Sequence, residues 1–143
     1  MQEQFLRYDE RHVFIKNDLK RLKKLKSLPD DIQNQYRIIQ GQIRETGWPP
    51  PFNFCNGLIT RQEINGSAVY FYKDRFAIMN PRLTPSEGGR IIYGLFIKEK
   101  LFIPFLVYRA NEEGCAYEVN RKRFHLKKCD LAKIIKEKIN CLP

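Results

Sequence analysis

A chain of 143 residues, 43% hydrophobic and 13% aromatic, has the size and apolar content of one domain, residues 1–143, able to bury a core without staples. Its 26 Lys and Arg against 16 Asp and Glu leave a formal charge of +10, which favours polyanionic partners: nucleic acid, an anionic membrane surface or an acidic protein. The four cysteines lack CxxC or Cys/His spacing for zinc, MQEQFLRYDE has no secretory apolar region, and no apolar run reaches the roughly 18 residues of a membrane span. The expectation is a cytoplasmic protein with reduced thiols and no metal or membrane partner.

Residues 1–11 are polar, with Phe5-Leu6 the one pair suited to start an edge strand. A helix is expected over 12–27, where Ile15, Leu19, Leu22 and Leu25 share a face opposite Lys16, Lys20, Arg21, Lys23 and Lys24. Pro29 suits the first turn of a second helix, as do Asp30 and Asp31 at its positive dipole end. Ile32, Tyr36, Ile39 and Ile43 form its stripe, and Gly47 is its stop, so the two segments read as an αα-hairpin. Trp48-Pro49-Pro50-Pro51-Phe52 is extended, either an aromatic platform or a loop tucked onto the body. A short strand at 58–63, strands at 68–72 and 76–79, and a loop over 80–89 follow.

The centre of the chain is a hairpin, Arg90–Ile97 and Leu101–Tyr108 joined by Lys98-Glu99-Lys100. Its nearly continuous apolar runs belong in mid-sheet, covered on at least one face. Pro104 interrupts the second strand, which calls for a bulge there or, less favoured, an edge position. A turn at 112–114, a short strand at 115–119, a basic connector at 120–128 and a helix over 127–140 complete the chain. The order gives an α+β fold: an N-terminal αα-hairpin packed on an antiparallel β-sheet with a C-terminal helix, the helices on one face. Arg90 and Arg109, at neighbouring ends of the hairpin, are expected to form a cationic spot, with Tyr117 nearby.

In this order, FIKNDLKRLKKL, LPDDIQNQYRIIQGQI, GGRIIYGLFIKEKLFIPFLVYRANEE and LKKCDLAKIIKEKI resemble the helices, paired strands and closing helix of the RelE/ParE superfamily of bacterial toxins. The resemblance implies a RelE-like fold and, in its RNA-cleaving branch, a metal-independent endoribonuclease acting on mRNA at the ribosome and restrained by an acidic antitoxin. In that chemistry the ribose 2′-oxygen attacks the adjacent phosphate, which needs a base, positive charge for the transition state and an acid for the leaving 5′-oxygen. The resemblance casts Arg90 as the transition-state arginine, Arg109 as the basic proton donor and Tyr117 as the tyrosine that stacks on a base or orients the 2′-OH. Lys73 and Arg75 fall near the family's basic pair. The extra residues near 47–62 and 80–88 depart from the family pattern, and no histidine or glutamate stands out as the base.

Each residue also has an ordinary reading. Arg90 can pair with Glu87 or Glu99, Arg109 with Glu112 or Glu113, and Tyr117 can be a half-buried strand residue. Lys73 and Arg75 can be solvated turn cations. His125, in the basic connector, has a reference pKa near 6.5 that suits acid–base work or substrate binding, as an idle surface histidine also would. Two other functions fit the same chain: a ParE-type inhibitor of DNA gyrase, and a nucleic-acid-binding domain that cuts nothing.

Overall fold

The computed structural model describes residues 5–142, so the first four residues of the polar start lie outside the description. Strand β1 (Arg7–Tyr8) is followed by a 3-10 turn at Val13–Ile15, a short helix α1 (Lys16–Arg21) and the long helix α2 (Leu28–Thr46). Then come β2 (Leu58–Ile64), β3 (Ser67–Phe76) and a small ladder of β4 (Ile78–Met79) with β5 (Arg82–Leu83). The central hairpin is β6 (Gly89–Phe96) and β7 (Leu101–Arg109); a second hairpin, β8 (Ala116–Val119) with β9 (Lys122–His125), leads into α3 (Lys128–Asn140). The main sheet runs β1-β7-β6-β3-β2, antiparallel throughout except that β1 lies parallel to β7.

The expected first helix is much shorter than 12–27. Leu19, Leu22, Leu25 and Leu28 recur every three residues, which suits 3-10-like turns better than an α-helix of period 3.6. The hydrogen bonds follow: the Leu25 N–H bonds Leu22 O at 2.9 Å and the Leu28 N–H bonds Leu25 O at 3.1 Å. This corner brings Leu22, Leu25 and Leu28 into the core beside Ile32, Tyr36, Ile39 and Ile43 of α2. Helix α2 ends at Gly47, whose φ of 97° favours glycine.

Helices cover both faces of the sheet, not one. Tyr72, Ile91, Tyr93, Leu95 and Val107 pack with α2, while Phe71, Ile92, Leu106 and Tyr108 pack with Leu131, Ile134 and Ile135 of α3. Strand side chains alternate between faces, so β6 and β7 read as unbroken apolar runs because each face has its own cover.

Pro104 sits beside the expected bulge. Ile92 pairs with Leu106 and Tyr93 with Pro104, leaving Phe105 as the extra residue. The bulge sends Phe105 and Leu106 into the same core, where Phe105 stacks on Phe14 at 3.9 Å between centroids. The strand is also a sheet edge from there on, since β1 pairs only with Leu101 and Phe102.

The connector at 120–128 contains β9. The Trp48–Phe52 segment is tucked: Trp48 Nε1 donates to Ile97 O at 3.0 Å and its ring meets Phe5 edge-on, whereas Phe52 stands out into solvent.

A cationic cleft at the end of the sheet

The basic side chains divide into those bound to carboxylates and carbonyls and those that are not, and this division separates structural from available charge. Asp18, fully buried on α1, accepts the Tyr117 hydroxyl at 2.7 Å, Arg21 Nη1 at 2.7 Å and the Val107 N–H at 3.1 Å. Arg21 also donates to Val107 O, and Lys138 Nζ donates to Phe105 O at 2.7 Å and Phe14 O at 2.8 Å. Side chains therefore satisfy the open edge of β7 where no strand does. Burial, then the Asp18 carboxylate, pushes the Tyr117 hydroxyl well above its ordinary value, and burial pulls Lys138 down. Tyr117 is a member of this network, its hydroxyl given to Asp18, and it lines a separate pocket between α1 and the end of α3 rather than the site of Lys73 and Arg75.

Arg90 is likewise committed. Its side chain is 4% exposed, and Nε donates to Glu113 Oε1 at 2.8 Å, Nη1 to Pro85 O at 2.8 Å and Nη2 to Ser86 O at 3.0 Å. The loop wraps this closely because Gly88 lacks a side chain: a Cβ there would lie 2.5 Å from Phe76 O and 2.8 Å from Thr84 O. The partner is Glu113, not Glu87 or Glu99.

Arg109 pairs with Gly89, and Arg90 with the next residue back, Tyr108. Strand alternation thus sends the two guanidinium groups to opposite faces, and the expected Arg90–Arg109 spot does not form. Arg109 Nε is buried with no hydrogen-bond partner among the described residues. His125 is on β9, where its main-chain N–H donates to Asp130 Oδ2 at 2.7 Å and its ring Nδ1 lies 3.9 Å from the same oxygen.

Lys73 and Arg75 are different. Both project from β3 onto the α3 face, Arg75 directly across from Arg90 and Lys73 across from Ile92. Strand β2 begins at Leu58, opposite Tyr72, so this end of β3 extends past its neighbour. Beyond that end lies a cleft of about 410 Å³ between the turn at 55–59 and the first turns of α3, with Lys73, Arg75 and Lys128 in its lining. Among the described residues, none of these three cations has a carboxylate within ion-pair distance. Lys73 Nζ instead sits 5.6 Å from the Tyr108 ring centroid. Its pKa is lowered, first by burial, while nearby Glu113 works the other way and the charges of Arg90 and Arg75 add to the lowering. A lysine so placed is closer to giving up its proton at neutral pH than a solvated one.

Of the six residues read from the sequence, the cleft brings together Lys73 and Arg75; Arg90 lies across the strand pair from Arg75, and Arg90, Arg109, Tyr117 and His125 are not in its lining. Sequence reading missed Lys128. Its one signal was the Lys127-Lys128 pair at the start of the last helix. Among the described residues there is no group of His, Cys, Asp and Glu arranged to hold a metal ion, and no helix long and apolar enough to cross a membrane. The chain matches no family model, no curated protein and no solved structure.

Proposed function

We propose that the protein is a toxin of the RelE/ParE kind that binds mRNA, at the ribosome, through Lys73, Arg75 and Lys128 and cleaves it, an acidic antitoxin masking the same charges. One observation carries this reading: three cations without carboxylate partners meet at one cleft, in a chain of net charge +10. In the reaction, Lys73 in its deprotonated form takes the proton of the ribose 2′-OH, burial and the charges of Arg90 and Arg75 easing the loss of its own. The 2′-oxygen bonds to phosphorus as the bond from phosphorus to the 5′-oxygen breaks, and Lys128 protonates the leaving oxygen. The products are a 2′,3′-cyclic phosphate and a 5′-hydroxyl. Arg75 neutralises the charge that develops on the phosphate oxygens.

Translation in vitro with a primer-extension readout tests this. Wild type is expected to leave site-specific breaks in mRNA, and Lys73→Met to slow cleavage by about a hundredfold or more. Full cleavage by the Lys73→Met, Arg75→Ala double variant, or gyrase-dependent DNA damage without RNA breaks, overturns the reading. A second reading draws on the commitment of Arg90 to Glu113: a domain of the same fold that binds nucleic acid without cutting it. It expects salt-sensitive RNA binding and intact RNA in the same assay.

A further inference from the structure

The two edges of the main sheet are finished differently. At the β7 edge, β1 pairs with the first residues, and Asp18, Arg21 and Lys138 take main-chain groups further along. The other edge is β2, which no described strand pairs on its outer side. Its hairpin with β3 turns through Asn65 and Gly66, both at positive φ, and closes where Ile64 pairs with Ser67. A two-residue turn of this kind closes on a pair that exchanges both hydrogen bonds, so alternation directs the N–H and C=O of Arg61 and Glu63 outward. Among the described residues, no hydrogen bond outside the ladder reaches those groups. Both side chains are exposed, and neither forms an ion pair among the described residues. Arg61 lies 5.3 Å from the Tyr70 ring centroid.

An edge carrying one sign of charge repels its own copy; this one carries both signs two residues apart on one face. A second copy related by a two-fold axis normal to the sheet runs antiparallel, and directly opposed residues then point to the same face. Such an axis must set one residue against itself. Centred on Arg61 the pairing opposes two cations, and centred on Glu63 it opposes two carboxylates. Centring on Thr60 runs the ladder into the bulge at Ile59. Centred on Gln62, Arg61 of each copy meets Glu63 of the other, and these are the residues whose main-chain groups face outward.

We propose that β2 is a dimerisation edge, along which two copies of this chain pair antiparallel over residues 60–64 about Gln62. The two five-stranded sheets become one, with both α3 faces and their cationic clefts turned to the same side. The pairing is independent of what the clefts bind.

Sedimentation equilibrium of the full chain tests this. Wild type is expected to pass from monomer to dimer as its concentration rises. Arg61→Glu opposes two acids in each couple and Glu63→Arg two bases, so each should weaken dimerisation about tenfold or more. An equal mixture of the two variants restores an acid opposite a base in both couples and should form a mixed dimer. Amide hydrogen exchange on wild type gives a second measure, needed should either variant fail to fold. The Arg61 and Glu63 amides should gain protection with concentration, while that of Gln62, already in the ladder with β3, should not change. A wild type that stays monomeric up to millimolar concentration overturns the proposal. So do a dimer that either reversal leaves intact, a mixture that stays monomeric, and concentration-dependent protection that leaves out Arg61 and Glu63.

Discussion

Asp18 Oδ2 accepts the main-chain N–H of Val107 at 3.1 Å across eighty-nine residues of sequence, fastening α1 to the edge of β7. The same carboxylate is the counter-charge of Lys138, whose side chain is 8% exposed. Asp18→Ala therefore leaves the buried Lys138 ammonium without its counter-charge, and the Val107 N–H and the Tyr117 hydroxyl without their acceptor. The expected loss is about 3–5 kcal/mol of unfolding free energy, measured by urea titration. A loss below about 1 kcal/mol would show that solvent replaces the carboxylate.

Arg90 and Arg75, directly opposed on neighbouring strands, are expected to separate stability from function. Arg90→Ala removes the ties to Glu113, Pro85 O and Ser86 O and should cost about 3 kcal/mol, seen as a clear drop in melting temperature. Arg75→Ala touches an exposed side chain and should change stability by no more than about 0.5 kcal/mol while reducing RNA cleavage. Unchanged melting of the Arg90 variant would refute the clamp.

The second helix, the central hairpin, the Pro104 bulge and the last helix were legible because each leaves a local mark, a stripe, a paired apolar run or a missing N–H, whereas the three-residue spacing of Leu19, Leu22, Leu25 and Leu28 was misread as one face of a long first helix. The two-sided cover of the sheet was written in the continuity of both runs, but continuity does not say which element covers which face. The site was harder. Arg90, Arg109 and Tyr117 were chosen by nearness along the hairpin, whereas their fates depend on alternation by one residue and on partners far away in sequence. Glu113 claims Arg90, and Asp18, ninety-nine positions away, claims Tyr117. Lys128 meets Lys73 and Arg75 only once α3 folds over the sheet, and nothing local announces that.

Alkaline pH should unfold the protein through its tyrosines. Burial, named first among the causes, pushes Tyr72 and Tyr108 up to about 12, and raises Tyr93 and Tyr117 as well. In the unfolded chain each ionises near 10. The native state thus binds more protons between about 10 and 12, and stability falls as pH rises through that window; below pH 10 the contribution is fully present. Absorbance at 295 nm should show these tyrosines titrating late and together with the loss of secondary structure. Their titration near pH 10 in a folded protein would contradict the burial.

The Tyr108 hydroxyl is buried beside Lys73 and across from Arg90, with no hydrogen-bond partner among the described residues. A buried hydroxyl left unpaired costs about 1–3 kcal/mol, so Tyr108→Phe should hold or raise the stability of the free protein, by up to about 1 kcal/mol. The ring, and with it the seat of the Lys73 ammonium, is retained. Cleavage should therefore survive in Tyr108→Phe, while Tyr108→Leu, which removes the aromatic face, should slow it by releasing Lys73 from its place. Urea titration and RNA cleavage on the same two variants check both halves. A Phe variant less stable than wild type would mean that the hydroxyl is hydrogen-bonded in solution, and equal cleavage by the Leu variant would mean that the ring does not position Lys73.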